Sequence, residues 1–509
     1  MNHKGMVYLV GAGPGDAGLL TLRGAEVLGH AQTVIYDGLV NPALLQWSAP
    51  GAEIIYGGKH DRTRAVSQED LNALLIAKAR EGKCVVRLKA GDPYVFARGG
   101  EEAMRLVEAG IPFEVVPGVS SVEAGPNYAG IPLTHRDFCS SYTVITGHED
   151  PARAGSRLNW EALGKLTGTL VVLMGLKQLE RITGLLQANG RPGNTPAALI
   201  RWATTPRQQV IEGTLATIAA QADEASLCPP VVTIIGDVVK LRSKLDWFGR
   251  RTLMGKRVVV TLSRELSPPL SGLLRERGAE LLEVPGMKCI LPPDSRRVQD
   301  TMSRLKTYDW ILFSNQVSVA FFFKQFFQYH RDWRDLGHPR IGAFGPQTAI
   351  ELEKLKLRVD AIPSEHQGPP ILEVLAPLGG VIGRRILLAR PQVAGQDIPK
   401  CLGEAGAFVD DLPVYQSLVD DEDPHGDAAS FASSGADWLT VAGYFDLDYF
   451  HQRFNLHELR KKFPRLRIAT IGPKTAGLVH DLGLKVDAAA ATANMESLVE
   501  AIEKADPTC

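Results

Sequence analysis

The turn GAGPGDAG at 11–18 follows the apolar run VYLV, and a turn of Gly and Pro lets main-chain N–H and C=O groups approach a ligand without bulky side chains. It invites the dinucleotide fingerprint GxGxxG. That fingerprint fails: the third glycine position is Asp16, Pro14 stands inside the turn, and no acidic residue closes a second strand at the ribose position. Asp37 in YDGLV and Lys59 in YGGKH each end a predicted strand where a cleft would open, a carboxylate and an ammonium suited to moving a proton. Asp37 would equally serve as a turn cap, and Lys59 as a solvated loop cation. A further set lies in the other half, where GPQTAIELEKLKLRVDA at 345–361 recurs as GPKTAGLVHDLGLKVDA at 472–488. Either these turns only mark helix starts near Thr348 and Thr475, with a threonine N-cap, or both helix N-termini aim free N–H groups at carboxylates.

Metal chemistry has no support in the residue pattern. The six cysteines (Cys84, Cys139, Cys228, Cys289, Cys401, Cys509) stand singly, with no CxxC pair or Cys/His spacing for zinc, and read as free thiols of a reducing cytosol. With 509 residues, 45% hydrophobic and 22% charged, the chain reads as globular with two to four domains. A net charge of -1 gives no global attraction to nucleic acid or membrane. The start MNHKGMVYLV lacks the pattern of a signal peptide and no apolar run approaches the roughly 20 residues of a membrane span, so a cytoplasmic protein is expected. FFFKQFF at 321–327 fits a membrane wedge or the core side of an amphipathic helix, and the core reading is preferred.

The elements that must position these residues follow from periodicity. Residues 6–240 alternate β-branched runs with helical stretches such as SQEDLNALLIAKAREG, which predicts α/β. That helix opens at Ser67 with Glu69 and Asp70 behind it, and closes at Gly82. LRSKLDWFGRRTLMG at 241–255 loses the alternation and reads as a connector. From 256 the doubling is extensive: MGKRVVVTL recurs as IGRRILLAR, RERGAELLEVP as LGEAGAFVDDLP and YDWILFS as ADWLTVA, at offsets of 127 to 128 residues. Two similar α/β lobes sharing a cleft are expected.

GAGPGDAGLLTLRG, YDGLV, GDPYVFARGGEE, PGVSSVEAGPNYAGIPLTHR and VLMGL, in order from Val7 to Trp247, resemble the tetrapyrrole methylase family, more narrowly uroporphyrinogen-III C-methyltransferase. The resemblance implies a two-lobed methylase fold with S-adenosylmethionine folded in the groove. Pro14, the Ala90, Gly91 and Asp92 turn, Val95, Ser120, Ser121, Met174 and Gly213 would line it, with Ala90 where Gly is common and Ser120 where Thr is common. It implies Asp37 as proton acceptor, Lys59 as proton donor, and a homodimer through this half. A polyanionic tetrapyrrole needs cations, and Arg62, Arg64, Arg98, His135 and Arg136 lie in or beside these motifs, Arg136 being the first to test.

VPGMKCI, FSNQVSV, AFGPQTA, LPVYQS and IGPKTA resemble uroporphyrinogen-III synthase. By that resemblance Tyr415, Thr348 and Thr475 belong to the cleft, Tyr415 as a weak acid aiding departure of a hydroxyl or else a core-edge tyrosine. Ser314, and with less pattern behind it Arg390, would contact a carboxylate. The expected organisation is 1–247 methyltransferase, 248–255 linker and 256–509 synthase, with lobe one at 256–289 plus 417–509 and lobe two at 290–416. The implied function is cyclisation of hydroxymethylbilane to uroporphyrinogen III, followed by two methylations to precorrin-2 on the sirohaem and cobalamin route. Alternatives are a noncatalytic tetrapyrrole-binding module in the second half, or methylation of a later corrinoid or RNA.

Overall fold

Runs such as VYLV, TVIY and CVVRLK have no polar face to give to water, and they form strands covered on both sides. The computed structural model describes residues 5–60, 64–65, 67–148, 158–363 and 368–506. Its first sheet runs Glu53–Tyr56, Thr33–Tyr36, Cys84–Lys89, Met6–Gly11, Phe113–Val116, all parallel. Apolar clusters cover its two faces, one around Val10, Val34 and Leu88, the other around Leu9, Ile35 and Leu75. A second sheet runs Gln209–Thr214, Pro196–Arg201, Val231–Ile235, Thr169–Leu173, Tyr142–Thr146 and is mixed, only its last pair being parallel. Both sheets belong to a compact unit built on the residues up to Arg257 with Leu274–Glu280.

Local signals in this unit act as the sequence predicts. Ser67 caps the helix Gln68–Arg80 by accepting the Asp70 N–H at 3.1 Å, and Gly82 takes φ +81° just beyond its end. Residues 248–255, expected as a linker, pack with this unit instead: Phe248 and Leu253 are buried, and the Tyr128 ring lies 4.8 Å from Phe248.

A second unit, Val258–Leu273 with Leu281–Asp506, carries the doubling. One sheet runs Glu280–Glu283, Arg257–Val260, Trp438–Val441, Arg467–Thr470, Ala488–Ala489; the other runs Met287–Ile290, Phe408–Val419, Arg385–Pro391, Trp310–Phe313, Arg340–Ala343. The repeated segments occupy equivalent strands in each, and their side chains repeat contacts. Asp360 accepts the N–H of Ile341 and Asp487 that of Ile468, both at 2.9 Å. Arg340 lies over Trp310 and Arg467 over Trp438. The twelve-residue strand Phe408–Val419 pairs parallel with Arg385–Pro391 and then antiparallel with Met287–Ile290, so it joins the two lobes. The aromatic run becomes the helix Gln316–Tyr329, with Phe321, Phe322, Phe323 and Phe326 in the core. None of the described helices is long and apolar enough to cross a membrane.

Candidate active sites

The parallel strands of the first sheet all deliver their carboxyl ends to one edge, where open α/β sheets take ligands. Three turns meet there. Gly13 and Gly91 exchange two main-chain hydrogen bonds at 3.3 and 2.8 Å, and Asp92 accepts from Tyr94 N at 2.8 Å and Gly118 N at 3.1 Å. Ala90, Gly91, Asp92, Pro14, Ser120 and Ser121 are thereby brought together. Gly91 sits at φ +70°, and a Cβ built there would meet only Ser120 Cα and Ser121 N, both at 3.9 Å. Open space beside main-chain N–H groups suits a ligand that binds through backbone contacts. Ser120 caps the helix Ser121–Tyr128 by accepting Val122 N at 3.1 Å, and Val95 stands 40% exposed between exposed Tyr94 and Phe96.

From the second sheet, Met174 follows the strand Thr169–Leu173, 52% exposed and held at φ +54°, a strained setting of the kind found at functional sites. Gly213 is placed elsewhere. Register pairs it through Ala197 and Ile235 to Leu170, on an edge strand three strands from that of Met174 and toward the other end, about 20 Å away by strand spacing and rise. Its surroundings are the side chains of Gln221 and Thr217, the local turn into the next helix. What does reach the Gly-rich turn is the loop Trp202–Thr205. Trp202 and Thr204 have positive φ, Thr204 Oγ1 accepts from Asp16 N at 3.0 Å, and a Cβ on Gly15 would lie 3.2 Å from Ala203 O. Sequence reasoning missed this loop, although its only signal, the Thr-Thr-Pro after a strand, is ordinary turn chemistry.

Asp37 ends its strand in a buried charge network. Its carboxylate pairs with Arg87, Arg87 Nε lies 3.3 Å from Glu102 Oε1, and Lys89 Nζ lies 3.0 Å from the same oxygen. Arg87, Lys89 and Glu102 are at most 2% exposed. Burial, and next the Arg87 charge, lowers the Lys89 pKa. The two cations balance two carboxylates, the condition for ions to survive in a core. Their signal in the sequence was a pair of charges inside CVVRLK, a strand otherwise fit for burial on both faces.

Lys59 lies on a two-residue strand Lys59–His60 paired with Arg64–Ala65; the side chains of Lys59 and Arg64, and all of Arg62, lie outside the described residues. Arg136 is exposed at the tip of a turn closed by His135 and Cys139. Arg98 pairs with its neighbour Glu101 at 2.6 Å, both exposed.

In the second unit, Tyr415 is 5% exposed and its hydroxyl accepts from Asn315 Nδ2 at 3.0 Å. The register slips between Arg390 and Pro391 opposite it, the kind of irregularity that re-aims a side chain. Burial pushes Tyr415 up to about 12, which makes it a poor acid near neutrality. Ser314 Oγ lies 2.9 Å from Ser318 Oγ. The threonine N-caps are corrected. The helices begin at Pro346 and Pro473 with Gly345 and Gly472 as caps, because a proline at the first position needs no N–H partner. Thr348 and Thr475 fall in the first turn and are buried, and Thr348 donates to Phe344 O at 2.8 Å. Arg390 is corrected as a ligand: it is 4% exposed, with its guanidinium engaged by Asp411 and by the carbonyl of Gly395.

Comparison with known proteins follows the same division. Residues 6–219 match the family model of tetrapyrrole (corrin/porphyrin) methylases, and residues 268–500 match that of uroporphyrinogen-III synthase HemD. The porphyrin biosynthesis protein HemD of Ruminiclostridium josui is 39% identical over 420 residues, 82% of each chain. The uroporphyrinogen-III C-methyltransferase of Bacillus subtilis (strain 168) is 39% identical over 72% of this chain and 74% of its own. The S-adenosyl-L-methionine-dependent uroporphyrinogen III methyltransferase of Methanosarcina barkeri (strain Fusaro / DSM 804) is 49% identical over 48% of this chain and 95% of its own.

Proposed function

The chain belongs to the tetrapyrrole methylases joined to a uroporphyrinogen-III synthase, a bifunctional enzyme of tetrapyrrole biosynthesis, and from that membership we propose its two steps. The second unit closes hydroxymethylbilane to uroporphyrinogen III. The first then methylates that ring twice to precorrin-2, the branch point toward sirohaem and cobalamin. The observation that carries the reading is the meeting of the Gly13, Gly91 and Ser120–Ser121 turns beside a carboxylate, Asp37, that a buried arginine holds.

S-adenosylmethionine fits this edge on the open side of Gly91, and when bound it supplies an electrophilic methyl group on a sulfonium. Pro14, Ala90, Gly91, Asp92, Ser120, Ser121 and Met174 would hold it, with the main chain more than side chains, since Asp92 and Ser120 already spend their oxygens on the turns. Displacement at a methyl carbon asks mainly for alignment, which rigid turns provide. Asp37 accepts a proton from the ring whose carbon attacks, and Lys59 returns one. Arg136, exposed on its turn, takes a substrate carboxylate. Gly213 is dropped from the set for its place in the sheet.

In the second unit Tyr415, Ser314, Thr348 and Thr475 remain the family-based assignments, acting by holding the linear substrate so that it closes with its last ring inverted. We also propose a homodimer through the first unit, with exposed Met104 and Val107 of the helix Gly99–Glu108 available for such a face, in the cytoplasm. Two assays test the reading. Labelled methyl groups should pass to uroporphyrinogen III, and the rate should fall about 10²-fold or more in Asp37→Ala or Arg136→Ala. Transfer to another acceptor in its place would overturn the first step. Hydroxymethylbilane alone should give the type III isomer, and type I only would leave the second unit a binding module.

A further inference from the structure

Among its described residues the second unit buries three side-chain oxygens that have no hydrogen-bond partner: Ser263 Oγ, Asp446 Oδ1 and Thr470 Oγ1. Their residues are 0%, 5% and 0% exposed. A buried polar atom left unpaired is destabilising, so three in one lobe call for an occupant.

They are not scattered. Ser263 follows the strand Arg257–Val260, Asp446 stands in the first turn of the helix Tyr444–Phe454 after Trp438–Val441, and Thr470 ends Arg467–Thr470. These strands are adjacent and parallel. All three oxygens therefore lie at the carboxyl edge of one sheet, and the first two flank the point where strand order reverses, the place where such sheets bind ligands.

The other lobe acts as an internal control. At the repeat offset, Asp446 corresponds to Ser318, Ser263 to Pro391 and Thr470 to Ala343. Ser318 Oγ is satisfied by Asn315 Oδ1 at 3.0 Å and Ser314 Oγ, while Pro391 and Ala343 carry no polar side-chain atom. Asn315, which caps that helix, is replaced by Gly443 in the first lobe. The unfilled polar edge is specific to one lobe and does not come from the repeat.

Asp446 also faces the cleft residues. Burial raises both Tyr415 and Cys289, and the charges of Glu265 and Asp446 raise each further. Burial alone holds the Asp446 carboxyl up at about 7, against about 12 for Tyr415, so at neutral pH Asp446 is the better proton donor.

Resting on the synthase reading of this unit, we propose that Ser263, Asp446 and Thr470 form the subsite for the terminal hydroxymethyl group of the linear tetrapyrrole, with Asp446 as the catalytic acid. The exocyclic C–O bond breaks with its electron pair leaving on oxygen, and the Asp446 proton joins that oxygen to make water. The lone pair of the same pyrrole nitrogen feeds the exocyclic carbon, leaving a cation beside the new carboxylate. The exocyclic carbon then bonds to the substituted α-carbon of the last ring. The bond from that carbon to its bridging methylene breaks and re-forms at the ring's free α-carbon, which inverts the ring, and that α-carbon loses its proton to Asp446 and restores the acid.

The test incubates the full chain with hydroxymethylbilane and separates type III from type I product. A wild type that makes only type I overturns the synthase reading and the subsite with it. With type III made, Asp446→Asn should lower its kcat about 10²-fold or more with KM within about threefold. The wild-type kcat should also fall as pH rises through about 7, with Cys289 and Tyr415 the titratable groups that feel the Asp446 charge and Glu265 a second carboxylate acting on the same two, and the variant should lose that fall. Unchanged kcat in Asp446→Asn overturns the subsite alone. Ser263→Ala and Thr470→Val should each raise KM about tenfold at nearly constant kcat, and they carry the test if Asp446→Asn does not fold; unchanged KM in both overturns it.

Discussion

Asp16 denies the Gly-rich turn its dinucleotide fingerprint and gives it another task. Its Oδ2 accepts the Tyr128 hydroxyl at 2.8 Å, its Oδ1 accepts Gly18 N at 2.8 Å, and its N–H reaches Thr204 in the second sheet. One side chain thus ties the turn to a helix and to the neighbouring lobe, and burial with the Asp16 bond raises the Tyr128 pKa. Asp446 shows the opposite case, a carboxyl with nothing to hold it ionised. It titrates near 7 when folded and near the ordinary aspartate value, about 3.9, when unfolded. Between those values the folded chain keeps a proton that the unfolded chain has lost, so stability falls as pH rises across that window and levels off above it. Calorimetry of the second unit from pH 5 to pH 8 should show a steeper fall in Tm for wild type than for Asp446→Asn; equal slopes would refute the buried acid.

At the level of elements, close backbone approach decides where glycine is required. A Cβ on Gly118 would lie 2.6 Å from Gly11 Cα and collide with Gly91 O, both rigid main chain, whereas one on Gly100 meets nothing within 4 Å. Gly118→Ala should destabilise the first unit by about 3 kcal/mol, a fall in Tm of roughly 6–12 °C, and weaken S-adenosylhomocysteine binding in parallel. Gly100→Ala should leave Tm level or slightly raised; a Gly118→Ala Tm equal to wild type would contradict the three-turn site. Those turns were legible because Gly, Pro and Asp announce themselves at strand ends. The doubled lobes were legible because the offset stays constant, and the repeated Asp360 and Asp487 contacts give it a physical basis. Long-range effects were not legible. Gly213 looked like a binding glycine until register put it at the far edge, and Thr348 looked like a cap until Pro346 took the first helical position. Arg87, Lys89 and Glu102 come from a strand and a helix that meet only in the fold, so no local pattern pairs them.

For the whole molecule, the consequence of fusion is stoichiometric. In the proposed sequence each chain that makes the cyclic tetrapyrrole would also carry the unit that consumes it, so the two activities would be present at equal concentration. In the proposed roles, alignment by rigid turns in the first unit is joined to proton transfer by Asp37 and Lys59, and in the second unit to proton transfer by Asp446. The most direct measurement is a single incubation of the full chain with hydroxymethylbilane and methyl-labelled S-adenosylmethionine, analysed by product mass and isomer type. A doubly methylated product on the type III ring, made with no other enzyme present, is the predicted result. Unmethylated type I material, with the label still on the cofactor, would contradict it.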